Sequence, residues 1–234
     1  MKFAIILGLL VMAPAWAARP FVTDDARLTT AGSCQLESWT RTYEQRHEFW
    51  ALPACNPGGN LEFTAGGGRT REDGAPAGTD YVLQLKTLFR PLESDGWGWG
   101  LALGRMQPPG SQPGPNQLGS TYAYLPFSAA FGRDRYVLHA NLGWLRDRAS
   151  HQDRGTWGLG LEYYPVPRLA VIAESFGDDR AKPYWQTGLR YSIIPDLLQM
   201  DTTVGQQHDG GRPGRWVSFG VRWTPERLFP AHRP

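Results

Sequence analysis

The sequence predicts an all-β fold: a single antiparallel transmembrane β-barrel of about twelve strands, preceded by a cleaved signal peptide. Three observations lead there. The N-terminus reads as an export signal. The remainder shows recurrent period-two alternation and no sustained helical periodicity. The segments between candidate strands alternate between short and long.

The signal comes first. Lys2 gives a positive start, Phe3 to Met12 is an apolar run, and Ala15-Trp16-Ala17 supplies the small–x–small cleavage pattern. The run is shorter than the roughly twenty residues that a spanning helix needs. Cleavage is expected after Ala17 or Ala18. No lipobox-like Cys follows, so no lipoprotein is expected. The predicted organisation is residues 1–18 signal peptide, 19–32 periplasmic lead-in, 33–227 barrel and 228–234 C-terminal tail.

After the signal no long apolar run exists, which is what a barrel strand with one lipid face and one lumen face produces. Net charge is +2, so nothing suggests a nucleic-acid partner. The chain has 28 Gly, 10 Trp, 9 Tyr and 10 Phe, and Trp and Tyr favour membrane–water interfaces.

Alternation is clearest at Trp157-Gly158-Leu159-Gly160-Leu161-Glu162-Tyr163, where the odd positions are large and apolar. It recurs over Trp97–Leu103, Tyr136–Trp144 and Val217–Trp223. Strands are expected near 33–43, 47–56, 60–70, 79–91, 97–107, 120–131, 136–147, 155–165, 169–177, 183–194, 197–206 and 215–225. The tight connections carry Gly, Pro, Asn and Asp, as turn chemistry requires. Pro53 and Pro126 interrupt the second and sixth strands, so ten strands is the fallback. The soluble alternatives are a β-sandwich and a lipocalin-like barrel of about eight strands. Large residues gathered on one face, with Gly and isolated charges on the other, oppose both.

Cys34 and Cys55 lie equidistant from the first hairpin loop, which places them opposite each other in an antiparallel pair. In an oxidising periplasm a structural cross-strand disulfide near the rim is expected. No cluster of His or Asp sits beside them, so neither a metal nor a cofactor is expected.

The stretch Arg19–Trp39 reads RPFVTDDARLTTAGSCQLESW. Pro20, Thr23, Asp24, Asp25 and Ala26, followed by Gly32, Gln35 and Glu37, resemble the N-terminal signature of the MetA-pathway of phenol degradation family of outer-membrane proteins. The resemblance implies an outer-membrane barrel that passes small, hydrophobic or aromatic compounds. The residues alone leave the lead-in with two fates: tucked into the periplasmic mouth, or a disordered approach to the first strand.

Alternation turns a set of polar side chains toward the lumen. The acids are Glu37, Glu62, Glu162, Glu174 and Asp201. The bases are Arg41, Lys86, Arg90, Arg190 and Arg222. Gln84, His139, Asn141, Gln186 and Gln199 join them. Such charges must pair or line water. Two readings follow: a narrow polar channel for small-molecule cargo, or a closed barrel held by ion pairs. A barrel enzyme is a third, but no serine that would complete a site with His139 and Asn141 is identifiable. Most Trp residues fall near strand ends, where interface girdles form, and Trp216 is the exception that alternation turns inward. A monomer whose partner is the bilayer is expected.

Overall fold

The computed structural model describes residues 20–107, 117–147 and 150–225. The expected signal peptide and C-terminal tail lie outside them. The described chain forms twelve strands: β1 (Ser33–Thr42), β2 (Arg46–Asn56), β3 (Glu62–Glu72), β4 (Gly78–Arg90), β5 (Trp97–Gln107), β6 (Thr121–Phe131), β7 (Tyr136–Arg146), β8 (Asp153–Val166), β9 (Leu169–Asp178), β10 (Tyr184–Ile194), β11 (Leu198–Gln207) and β12 (Trp216–Trp223). Each pairs antiparallel with its neighbours, and β1 pairs with β12 to close the barrel. Closure satisfies every edge, which is what a sheet surrounded by lipid requires.

The short turns 57–61, 91–96, 132–135, 167–168 and 195–197 gather at one end, with the start of β1 and the end of β12. This end is called the turn rim, and the opposite one the loop rim. Turn backbones there take the left-handed conformation at Asp95, Arg133, Asp134 and Asp196, as tight hairpins require.

The distribution of polarity is inside-out. Leu142 is 69% exposed, Leu83 65% and Phe219 60%, while His139 and Glu162 are fully buried. A soluble fold would reverse these faces. Aromatic pairs mark the turn rim, including Trp97 with Phe127, Phe89 with Trp99, and Phe131 with Tyr136. They suit an interfacial girdle.

Both prolines sit inside strands and leave the register intact. In its interior the β2–β3 ladder lacks rungs at Leu52 and Pro53, and the β5–β6 ladder lacks them opposite Leu125 and Pro126. A missing N–H removes a bond, but in a closed barrel the other neighbour holds the strand in line.

One inward expectation fails. Arg90 lies outside the barrel and is exposed. The β4–β5 register shifts between Leu88 and Arg90, and this bulge reverses the side-chain parity. The Arg90 guanidinium lies over the outward Trp97 ring, 4.0 Å from its centroid.

Cys34 and Cys55 are directly paired across β1 and β2 and form a disulfide. The bond closes a hairpin with a sequence separation of 21. Chain-entropy arguments give such a closure about 3 kcal/mol. Reduction is therefore expected to lower the urea midpoint of unfolding in lipid vesicles, and an unchanged midpoint would show that the bond does not constrain the unfolded chain.

Candidate functional site

The lumen is filled by the chain's own N-terminal segment. Pro20 to Ala31 runs inside the barrel and reaches β1 at the turn rim. The wall's side chains hold it largely by its backbone. Glu174 on β9 accepts the N–H groups of Val22 (3.1 Å) and Thr23. Gln186 on β10 donates to the Pro20 carbonyl (2.9 Å) and to Glu174. The Asn141 amide on β7, oriented to satisfy both partners, accepts from the Asp24 N–H (2.7 Å) and donates to its carbonyl (2.8 Å). Ser128 Oγ on β6 accepts the Ala26 N–H (2.9 Å), and Glu62 on β3 accepts the Thr29 N–H (2.6 Å). Asn56 donates to the Thr29 carbonyl (2.7 Å). A segment outside the sheet thus finds its backbone partners on the wall.

Side chains of the segment are held too. Lys86 Nζ lies 2.8 Å from Asp24 and 3.6 Å from Asp25. Tyr124 donates to Asp24 (2.8 Å), Tyr122 donates to Gln84 (3.0 Å), and the Tyr124 oxygen lies 3.2 Å from the same amide oxygen. Phe21 meets the His139 ring edge-on at 5.3 Å. Glycines on β8 make the space. A Cβ on Gly160 would stand 2.8 Å from the Phe21 ring, and one on Gly158 would overlap Thr23. The alternating glycines of this strand are therefore the floor of the segment's groove.

Beneath the segment runs a buried polar chain. Ser128 Oγ lies 2.8 Å from His139 Nδ1, and His139 Nε2 lies 3.2 Å from Glu162. The other Glu162 oxygen accepts from Arg190 (2.7 Å) and from Tyr164. This order of Ser, His and acid is that of a hydrolase relay. Here, however, Ser128 is fully buried and its Oγ is occupied by the Ala26 N–H. The chain anchors the segment.

The remaining expected lumen residues face inward on the other walls. Arg41 lies 3.6 Å from Glu48 and 5.5 Å from the centroid of the Trp216 ring. Glu37 pairs in register with Arg222, and Arg222 with Gln199. Gln199 donates to Ser192 (3.3 Å). Asp201 is buried beside Gly220. Along the β1–β4 wall a cavity of about 150 Å³ remains between wall and segment. Asp24, Asp25, Glu37 and Glu62 line it, as do Arg27, Arg41, Lys86 and Arg222, so the two signs balance. Trp39, Tyr122 and Tyr124 add aromatic faces.

Two apolar clusters lie inside the barrel toward the loop rim. Trp50, Val82 and Met106 pack with Trp39, Leu52 and Leu118. Tyr43, Phe176 and Trp216 pack with Tyr184 and with Val22 from the segment itself. Above the strands, Lys182 bonds Asp209 (2.8 Å) between two loops, and this hydrogen bond holds the Asp209 carboxyl below the usual carboxylate range.

The family model described as "Uncharacterised conserved protein UCP029691" matches residues 5–223. The chain belongs to this family. No curated protein sequence matches it. Among solved structures, this chain's barrel is similar to the KdgM porin (9% identity, TM-score 0.60, covering 81% of this chain and 98% of that one). It is also similar to the COG4313 outer membrane channel from Pseudomonas putida F1 (12%, 0.57, 86% and 98%) and to the NanC porin (11%, 0.56, 81% and 98%). At such identities the likeness establishes the fold.

Trp216 does turn inward, as alternation indicates, but Ser128 and the apolar clusters that Trp216 and Trp50 belong to were not singled out in the sequence. Ser128 lies two residues past Pro126 in a strand with little alternation, so periodicity gave it no weight. The glycines of β8 were visible, but what they accommodate was not.

Proposed function

We propose that this chain is an outer-membrane channel, exported with its leader removed, whose resting lumen is closed by its own N-terminal segment. The turn rim then faces the periplasm, as short turns do in such barrels. The observation that carries the reading is the mode of attachment: Pro20–Thr29 is held by separate hydrogen bonds and ion pairs, beside a cavity already present. Each bond to the wall is worth about 1 kcal/mol, or about 1.5–3 kcal/mol where a charge takes part, so a local rearrangement can release the segment while the barrel stays closed. The apolar clusters toward the loop rim form a second constriction of the kind that gates by dewetting.

The cargo we infer is small. Balanced charge and aromatic faces in the cavity fit polar or aromatic compounds better than a long polyanion. The N-terminal resemblance to the MetA-pathway family points the same way, whereas the KdgM porin has been solved in complex with disordered oligogalacturonate, a polyanion. The reading is non-enzymatic and monomeric.

A closed structural barrel is the second reading, favoured by the fully buried Glu162–Arg190 pair. Planar-bilayer recording separates the two. The folded protein is expected to show brief, small ion steps, and protein lacking residues 20–29 larger and longer ones. Silence from both, with folded protein recovered in the outer-membrane fraction, would establish the structural barrel.

A further inference from the structure

We propose that the turn rim carries a binding site for small amphipathic carboxylates, with Arg27 as the ligand of the head group. The inference goes beyond the channel reading and does not need it. The lower part of the N-terminal segment crosses the barrel mouth and leaves a cavity of about 300 Å³ against β6, β7 and the neighbouring turns. That volume is at the small end of ligand pockets.

Its wall is aliphatic. Ala130 and Val137 form the inner side, each the next inward residue below Ser128 and His139 on its strand, and Leu92, Pro165 and Val166 complete it. Arg27 reaches in from the segment. Its Nη1 is enclosed against Asp25 Oδ2 at 3.6 Å, beyond hydrogen-bond length, while 13% of the side chain stays open. Arg27 lines the cavity, and a carboxylate there meets two N–H groups of the planar fork at once.

The rest of the charge agrees. Arg133 and Arg135 stand at the same mouth, against Glu93 and Asp134. Asp134 is already committed, since it accepts from the Asp95 N–H (2.8 Å) and from the Ser94 hydroxyl. The Tyr164 hydroxyl at the upper edge donates to Glu162 and accepts from Arg190, so it does not compete for the ligand. An alcohol brings no charge to the guanidinium, and an amine would meet like charge. The site therefore selects an anionic head carried on a short apolar tail.

Calorimetric titration with hexanoate tests this, using the folded full chain in lipid nanodiscs with empty discs subtracted. Saturable binding is expected. Acetate, hexan-1-ol and hexylamine should each bind more weakly than hexanoate. Arg27→Gln should weaken hexanoate by at least about tenfold, the loss expected for a charged hydrogen bond. Leu92→Trp crowds the aliphatic wall and should weaken hexanoate while leaving the barrel folded. Absence of saturable hexanoate binding, equal binding of hexanoate and hexylamine, or equal affinity in the Arg27→Gln protein would overturn the site. Conductance is recorded separately, so failure of the channel reading and failure of this site are distinguishable.

Discussion

Replacing Gly158 and Gly160 together with leucine is expected to raise the single-channel conductance of the folded barrel several-fold. The two positions face inward on β8, and the space above them is taken by Thr23 and Phe21. Even a Cβ at Gly160 would come within 2.8 Å of the Phe21 ring. Overpacking of this kind costs about 1–3 kcal/mol per site. The wall strand cannot yield, because β7 and β9 flank it along its length. The segment can, since its tip depends on the few bonds from Glu174, Gln186 and Asn141. Gly155→Leu is the matched control on the same strand. It lies at the exposed end, with Asp179 no nearer than 3.9 Å, and should leave conductance unchanged. Equal conductance in the double variant and the native protein, both heat-modifiable on gels, would show that the segment does not govern passage.

The second large effect concerns Glu162. Arg190→Met is expected to destabilise the barrel by about 3–5 kcal/mol, read as a fall in unfolding free energy in a urea titration of vesicle-reconstituted protein. The carboxylate of Glu162 is fully buried and is bonded by Arg190, Tyr164 and His139. Removing the guanidinium leaves an uncompensated charge in the wall, which costs more than the intact pair contributes. Adding Glu162→Gln should recover most of the loss, because a neutral amide still meets Tyr164 and His139. If the single variant unfolds with the native midpoint, water reaches Glu162 and the lumen there is wetter than its burial implies. If the double variant is no better than the single, the arginine acts through packing along its stem.

Strand count and strand faces were legible from the residues because both follow from a local rule. A period of two needs no knowledge of neighbours, and Trp157 to Tyr163 displays it within one strand. The rule failed where the backbone departed from regular pleating. Arg90 lies past a bulge, and nothing in the residues around it announces one. The disulfide was legible for a related reason, since hairpin register follows from the loop midpoint. Ser128 was not, because its partners are His139 across a ladder and Ala26 from the segment, far away in the chain.

The lead-in shows the boundary between the two kinds of information most clearly. Its residues suited a tuck into the mouth or a disordered approach to the first strand, and by themselves they could not choose. By itself the sequence determined a β chain with one apolar and one polar face per strand, since alternation is written residue by residue. Only the tertiary structure decided what fills the space those polar faces enclose. Lys86, Asn141, Glu174 and Gln186 come from four different strands, and they become one site only when β1 closes on β12 and the N-terminal segment lies between them.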